Sequence, residues 1–246
     1  GGQTKTPTLS VRYEDKDDYI GGAGIVAKHL KATGAKVVFS TVLGDDILKN
    51  HTLKDLKKNE VTVLPVIEKS RPTTNKNVII ANDYRLLKID TVDNRPISSE
   101  TLEKLVSQIS KNASDMVIFC DFRHGIFNQS SVESLIEAIP NNAFAAADSQ
   151  VATRWGNITE FKNFDLVTPN EREARFSVAD QDSTIRTLAG TIHNQTNCKN
   201  IILKLGSRGV FCLHKLEKNK TFNFSVDSFA NNIIDPIGAG DALLAY

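Results

Sequence analysis

Two different spacings of apolar residues take turns along this chain. Short apolar runs rich in β-branched residues predict strands, namely "AKVVFSTVLG", "VTVLPVIE", "NKNVIIA", "DMVIFCD", "FAAADS", "FDLVTPN" and "NIILKLG". Apolar residues at helical spacing predict helices, namely "IVAKHLKATG", "LKNHTLKDLKKNE", "SSETLEKLVSQISKNA", "QSSVESLIEAI" and "TIRTLAGTIHNQTN". Since alternating strands and helices build parallel sheets through right-handed crossovers, we expect an α/β fold with helices on both faces of a mostly parallel sheet.

Two segments depart from this alternation. Residues 6–20 and 61–90 are strand-like, are polar at alternate positions, and contain no helical stretch. They predict a small antiparallel sheet that acts as a lid over the crevice at the carboxyl ends of the parallel strands. Because pairing two lids would cover edge strands and apolar faces, a homodimer through the lid is expected.

Composition limits the partners. The 246 residues include 30 Lys and Arg against 29 Asp and Glu, a net charge of +1, so no overall field favours nucleic acid or an anionic membrane surface. An anionic ligand therefore needs a local site. The three cysteines are widely spaced, which favours free thiols in a reducing compartment. With no long apolar stretch and no signal-like apolar core at the start, the expected location is the cytoplasm.

The segment "GAGIVA", residues 22–27, is the first candidate site because it fits the G-x-G-x-x-G/A dinucleotide fingerprint. A dinucleotide fingerprint follows a hydrophobic strand, whereas "YEDKDDYI" precedes this one. The alternative is a glycine turn at Gly21 and Gly22 that brings the backbone close to a bound polar ligand before a helix starts. A turn without any ligand also fits.

A second candidate lies in "VTPNERE", where a predicted strand meets a predicted helix. Asn170 and Glu173 have the spacing of a helix capping box. They also stand where α/β folds bind ligands, and a carboxylate there could order Mg²⁺ and its waters. The structural and functional interpretations are compatible.

The third candidate is "LKLGSRG", residues 203–209. Gly206 and Gly209 suggest a turn where the backbone can approach a nucleotide, and Lys204 or Arg208 could offer charge to its phosphates. An ordinary hairpin loop has the same composition.

The final stretch, "DPIGAGDALLAY", carries the most specific chemistry. If a helix begins near Gly238, the amides of Gly238, Ala239 and Gly240 are among its unpaired donors and form an anion hole. Asp241 then lies in the first turn, either to stabilise the helix dipole or to accept a hydroxyl proton during phosphoryl transfer. The chain has no G-x-x-x-x-G-K-[ST] segment, so a kinase here is not of the P-loop type.

These segments together resemble the ribokinase-like (PfkB) carbohydrate kinases. "DPIGAGDALLAY" is similar to their carboxyl-terminal signature, "GGAGIVAKHLKATGAKVVFSTVLGDD" to their amino-terminal one, and "TPNEREA" to their Asn-x-x-Glu motif. The resemblance implies a ribokinase-like three-layer α/β/α fold, with residues 1–246 as a single kinase domain that continues beyond both ends. It also implies ATP and Mg²⁺ as cofactors and a sugar phosphate as substrate.

Within the family, "RPTTNKNVIIANDYRLLKID" and "VIFCDFRHG" most resemble the heptose 7-phosphate kinase branch. This implies transfer of the ATP γ-phosphoryl group to the anomeric hydroxyl of D-glycero-D-manno-heptose 7-phosphate, in the pathway to nucleotide-activated heptose. The implied roles are Asp241 as base, residues 238–240 as anion hole, and Asn170 with Glu173 as organisers of Mg²⁺ and phosphate.

On the substrate side, the resemblance places Gly21 and Gly22 under the sugar, and Arg71 and Lys76 are candidates for its phosphate. The family pattern usually has Asn at position 25 and Lys at position 124, where this chain has Ile and His. Three alternatives therefore stay open: another sugar kinase of the family acting on ribose, fructose or a further sugar; a non-catalytic sugar-phosphate or nucleotide-binding module of a bifunctional protein; and an NAD-binding dehydrogenase.

Overall fold

The computed structural model describes residues 10–150, 157–216, 220–230 and 236–246. The helices are α1 (Ala23–Ala32), α2 (Ile47–Lys58), α3 (Ser99–Lys111), α4 (Val132–Glu137), α5 (Glu171–Val178), α6 (Ile185–Thr196) and α7 (Ala239–Ala245). The strands are β1 (Val38–Leu43), β2 (Thr62–Ile67), β3 (Asn75–Ala81), β4 (Tyr84–Thr91), β5 (Met116–Asp121), β6 (Phe144–Ser149), β7 (Leu166–Val167), β8 (Asn200–Lys204), β9 (Val210–Lys215) and β10 (Thr221–Val226).

The main sheet has six strands in the order β10-β9-β8-β7-β6-β5. Strands β5 to β8 run parallel, and β9 and β10 extend the sheet as antiparallel neighbours. The predicted α/β fold is confirmed. The antiparallel extension was not predicted; it follows from the short turn between β8 and β9, which leaves no room for a crossover helix.

Three of the predicted helices begin at a side-chain cap. Side chains of Asp46, Ser98 and Thr184 accept hydrogen bonds from backbone amides three residues further on, at the starts of α2, α3 and α6. Such caps satisfy donors that the first turn leaves unpaired.

The core lies between the main sheet and the helices that cover it. Aromatic rings fill one side, with Phe119 5.1 Å from Phe127 and Phe161 5.6 Å from Phe164 between ring centroids. The central strands contribute the fully buried Val167. Since these strands are packed on both faces, their side chains are apolar at successive positions rather than at alternate ones.

The lid is smaller than predicted. Strands β3 and β4 form the antiparallel hairpin that was expected, with a register shift between Ile79 and Ile80. In contrast, β2 pairs in parallel with β1, and its Val66 is buried in the core, so residues 61–67 are not part of the lid. Residues 10–20 form no strand, because their run of charged side chains offers no apolar face to pack, and residues 6–9 lie outside the described residues.

None of the helices in the described ranges is long and apolar enough to cross a membrane.

Candidate active site

Polar residues gather at the carboxyl ends of neighbouring strands of the main sheet. Asp148 is the penultimate residue of β6, Thr168 follows β7, and Lys204 ends β8. Asn170 forms a parallel bridge with Lys204, which brings the predicted capping residue and the predicted phosphate ligand together. Parallel strands place their carboxyl ends at one edge, where α/β folds bind ligands.

An ion pair occupies the centre of this edge. The Lys204 ammonium donates to both carboxylate oxygens of Asp148, at 2.9 Å and 3.1 Å. The Thr168 hydroxyl donates to the same carboxylate at 3.2 Å. Burial raises the pKa of Asp148, and the charge of Lys204 and these hydrogen bonds oppose that effect.

Helix α7 begins where the sequence predicts. Gly238 is the residue before its first turn, with a left-handed φ of 83° that favours glycine. The predicted three-amide anion hole needs a correction, because the Ala239 amide donates to the Pro236 carbonyl at 3.2 Å. Gly238 and Gly240 stay as the predicted donors. A Cβ built at Gly240 would lie 3.3 Å from the Lys204 ammonium, so α7 approaches the ion pair closely.

Asp241 lies in the first turn of α7, partly buried. Burial raises the pKa of its carboxyl group, the charge of Asp148 raises it further, and the charges of Lys204 and His29 oppose the shift. A carboxylate with a raised pKa is a better proton acceptor than an ordinary aspartate. The site therefore combines a candidate base with a cation held beside it.

The capping box at α5 is confirmed. The Asn170 side chain accepts from the Glu173 amide at 2.8 Å, and the Glu173 carboxylate accepts from the Asn170 amide at 2.7 Å. Both side chains offer the oxygen donors that Mg²⁺ prefers, and Glu173 is buried at the edge where the ion pair stands. No cluster of three or more His, Cys, Asp or Glu that could hold a metal occurs among the described residues. This donor set fits a Mg²⁺ ion held through waters and nucleotide phosphates, and that role stays a prediction.

A cavity of about 730 Å³ opens beside the capping box, lined by Asn170, Arg172, Phe176, Lys204 and Gly206 among others. Its volume is in the range of small-molecule and cofactor pockets. The Arg172 guanidinium lies 5.6 Å from the centroid of the Phe176 ring.

The two glycines predicted to approach a nucleotide have different roles. Gly206 has open space at its Cβ position and lines the cavity. At Gly209 packing requires the missing side chain, because a Cβ there would lie 2.0 Å from the Val226 carbonyl oxygen in β10. Its contact with a nucleotide stays a prediction.

On the other side of the site, Gly22 caps α1 with a φ of 55°, and a Cβ there would meet the Phe122 ring at 3.5 Å. Gly21 is exposed and has open space at its Cβ position. No strand precedes α1 among residues 10–21, so the dinucleotide interpretation of residues 22–27 is wrong. The chain turns at Gly22 as predicted, and the role of this turn under a ligand stays a prediction. Phe122 thus lies beside the predicted sugar position.

Arg71 is a structural residue rather than a phosphate ligand. Its buried guanidinium donates to the carbonyls of His124, Arg95 and Pro96 at 3.0 to 3.2 Å and pairs with Glu68. These contacts tie the segment between β2 and β3 to the loop after β5 and to the segment between β4 and α3. They correct the prediction that Arg71 binds the sugar's phosphate.

Lys76 is exposed on the lid hairpin. His124 lies half-buried within the electrostatic reach of this lysine. Burial, followed by the Lys76 charge, lowers the pKa of His124 to about 4, while Asp90 opposes the shift. His124 is therefore neutral at pH 7 and supplies no charge where the family pattern has a lysine.

Sequence reasoning missed Asp148 and Phe122. Phe122 follows β5 and Asp148 is the penultimate residue of β6. The signal that could have found them is therefore position, since the carboxyl ends of parallel strands face the crevice whatever motif surrounds them.

Comparison with known proteins agrees with this geometry. A family model described as "pfkB family carbohydrate kinase" matches residues 6–245. The chain is 25% identical over 249 residues to the "Bifunctional protein HldE" of Helicobacter acinonychis, covering 99% of this chain and 52% of that protein. It is 26% identical over 248 residues to the protein of the same name from Sulfurimonas denitrificans, covering 98% and 50%. The chain thus spans about half the length of these curated relatives.

Two solved structures share the fold. Phosphofructokinase-2 from Escherichia coli in complex with potassium has a TM-score of 0.72 at 19% identity, covering 96% of this chain and 78% of that one. Ribokinase from Giardia lamblia has a TM-score of 0.65 at 16% identity, covering 95% and 75%.

Proposed function

Because the chain belongs to the pfkB family of carbohydrate kinases, we propose that it transfers the γ-phosphoryl group of ATP to the anomeric hydroxyl of D-glycero-D-manno-heptose 7-phosphate. The product is the 1,7-bisphosphate. The heptose is supported by the resemblance of "RPTTNKNVIIANDYRLLKID" and "VIFCDFRHG" to the heptose 7-phosphate kinase branch, and by the HldE relatives that match over almost the whole chain.

The observation that carries the proposal is the position of Asp241. Its partly buried carboxylate has a raised pKa and shares its surroundings with Lys204 and Asp148. In the reaction, the sugar hydroxyl oxygen attacks the γ-phosphorus and the bond to the bridging oxygen breaks. ADP leaves, and the hydroxyl proton passes to Asp241.

The remaining residues stabilise charge. Lys204 offers its ammonium to the phosphates, and the amides of Gly238 and Gly240 are the predicted donors to the transferring group. Mg²⁺ bound with the nucleotide neutralises charge on the phosphates, and Asn170 and Glu173 are the residues that would order it. Gly206 lines the cavity proposed for part of the nucleotide.

For the sugar, we propose Gly21, Gly22 and Phe122 as its floor and Lys76 as the charge near its phosphate. A glycine beside an aromatic ring leaves a flat surface against which a sugar face can lie. Lys76 is on the hairpin, so closing of the lid would bring it toward the substrate.

The test is Asp241→Asn in the full-length protein, with ADP release as the readout. We expect turnover to fall at least about 100-fold, because the base is removed, while Mg·ATP affinity stays within about twofold. Asp115→Asn is the matched control, since Asp115 is exposed just before β5, at the opposite edge of the sheet. Turnover of Asp241→Asn close to that of the wild type would reject the assignment of the base.

The substrate is tested separately with a panel. Heptose 7-phosphate, unphosphorylated heptose, fructose 6-phosphate and ribose are compared by kcat/KM with the wild-type protein. We expect the phosphorylated heptose to be preferred by at least about tenfold over each of the others. Preference for another sugar would leave the kinase assignment intact and replace the heptose.

A further inference from the structure

We propose that Asp148 is a positioning residue of this active site, which holds the Lys204 ammonium against Gly240 and beside Asp241. The inference rests on the proposed function, in which Lys204 faces the transferring phosphoryl group. Neither a sequence motif nor a spacing rule singles out Asp148, and the case for it is built on contacts.

The first step is the fixed geometry of the pair. A lysine side chain has four rotatable bonds and carries its charge at the end, so it needs a partner to hold one position. Asp148 provides two contacts to the Lys204 ammonium, at 2.9 Å and 3.1 Å. Asp148 is itself held by β6 and by the Thr168 hydroxyl, and its side chain is only 5% exposed.

The second step is where the pair points. The Lys204 ammonium lies 3.3 Å from a Cβ built at Gly240, so any side chain at residue 240 would press on it. The ion pair therefore joins the edge of the main sheet to the first turn of α7, the turn that carries Asp241. Without Asp148, the ammonium would be free to swing toward the cavity beside Asn170, which Lys204 also lines.

The third step is the electrostatic effect on the base. The charged or titratable groups that influence Asp241 come from three elements: Asp148 on β6, Lys204 on β8 and His29 on α1. The Cys120 thiol on β5 also lies within the field of Asp241, whose charge raises the pKa of that thiol. Asp148 raises the pKa of Asp241, whereas Lys204 and His29 lower it. Replacing Lys204 should thus raise the pKa of Asp241. Replacing Asp148 removes a charge that raises this pKa and also releases the ammonium that lowers it, so its two effects on Asp241 oppose each other.

A purely structural ion pair is the competing explanation. Buried ion pairs contribute little net stability, because the loss of hydration offsets their attraction. A structural role predicts that losing the pair changes stability alone. A positioning role predicts a loss of kcat and a shift of the pH profile in a defined direction.

The experiment uses Asp148→Asn, Lys204→Met and the double variant in the full-length protein. Asparagine keeps an oxygen for Thr168 and removes the charge. We expect kcat to fall 10- to 100-fold in each single variant and no further in the double variant, since both changes remove one interaction. The acid limb of kcat/KM should move to higher pH in Lys204→Met, because the base is needed deprotonated and the charge that lowers its pKa is removed.

Asp165→Asn is the matched control. Asp165 pairs with Lys199 at 2.6 Å and also accepts from the Ala145 amide, at the amino-terminal ends of the parallel strands. Asp165→Asn should change neither kcat nor the pH profile of kcat/KM. Fully folded Asp148→Asn with kcat within twofold of the wild type, or Lys204→Met with an unmoved acid limb, would overturn the proposal.

Crystal structures of wild type and Asp148→Asn provide a readout that does not depend on activity. The proposal expects the Lys204 ammonium to leave Gly240 in the variant, and an unchanged ammonium position would refute it. Lack of turnover by the wild type with every sugar would reject the proposed function, while the crystallographic comparison would still decide the role of Asp148.

Discussion

At Gly209 a missing side chain matters for packing. Its φ is 84°, and a Cβ there would lie 2.0 Å from the Val226 oxygen and 2.7 Å from the Asp227 carbonyl carbon. Gly209→Ala should therefore lower the free energy of unfolding by at least about 2 kcal/mol, measured by urea denaturation, since strain and a backbone clash add.

Gly190→Ala is the control for that substitution. Gly190 lies within α6 and has no atom within 4 Å of a built Cβ, so alanine there should stabilise the protein by about 0.5–1 kcal/mol. Equal effects of the two substitutions would contradict the packing explanation for Gly209.

Single residues were predictable where a motif surrounds them. Asp241, Lys204 and Gly238 lie at the strand end and helix start where motif and resemblance place them. Such positions are predictable because a glycine or a charged residue there serves only a small number of structural or chemical roles. Arg71 was mispredicted because charge alone does not reveal which carbonyls a guanidinium will reach. Asp148 was missed because its partner, Lys204, lies 56 residues further along the chain.

Among the elements, α5 combines a structural cap with a predicted ligand site. Asn170→Ala removes the acceptor for the Glu173 amide and should cost about 1 kcal/mol of stability. It should also raise the KM for Mg·ATP several-fold, if Asn170 orders the metal and phosphates as proposed. Thermal unfolding and steady-state kinetics with varied Mg·ATP measure the two effects.

The matched control is Ser98→Ala, which removes the equivalent cap of α3. Ser98 accepts from the Thr101 amide at 3.2 Å and lies outside the proposed site. Ser98→Ala should lower the stability of the protein by a similar amount and leave the KM for Mg·ATP unchanged. If Asn170→Ala also leaves the KM unchanged, its role is capping alone.

Helices and strands were predictable to the extent that burial follows a simple period. The apolar runs of β5, β6 and β8 are packed on both faces and stand out in sequence. The segment containing β2 was assigned to the lid because its alternate polar positions are also typical of a lid strand. Its partner in the structure is β1, which precedes it in the sequence with α2 between them. Pairing partners are set by tertiary contacts that a period does not encode.

For the whole molecule, the order of the strands and of three short signatures sufficed to predict both fold and family. The size of the lid was not predictable, since the alternate polar positions that predicted strands in residues 6–20 and 61–67 do not show which strand, if any, a segment pairs with. The described structure leaves the β3–β4 hairpin as a two-stranded sheet of its own. Such a hairpin is marginally stable unless another surface supports it.

We propose that a second copy of the chain supplies that surface. Large apolar side chains on the hairpin are exposed, with Ile80 59%, Tyr84 71% and Leu87 54% accessible. Pairing two hairpins would cover these side chains and the open strand edges. Wild-type protein should therefore sediment as a dimer at micromolar concentration, and Leu87→Lys should shift it toward monomer.

Ile47→Lys provides the comparison, because Ile47 is 81% exposed but belongs to α2 and not to the hairpin. A general effect of removing surface apolar area would weaken the dimer in both variants. An effect of the hairpin interface would appear in Leu87→Lys alone.

Because Lys76 is on the same hairpin, the dimer should also hold it over the sugar site, so dissociation should raise the sugar KM while the KM for Mg·ATP stays constant. A monomeric wild type, or a dimer unaffected by Leu87→Lys, would rule out the hairpin as the interface.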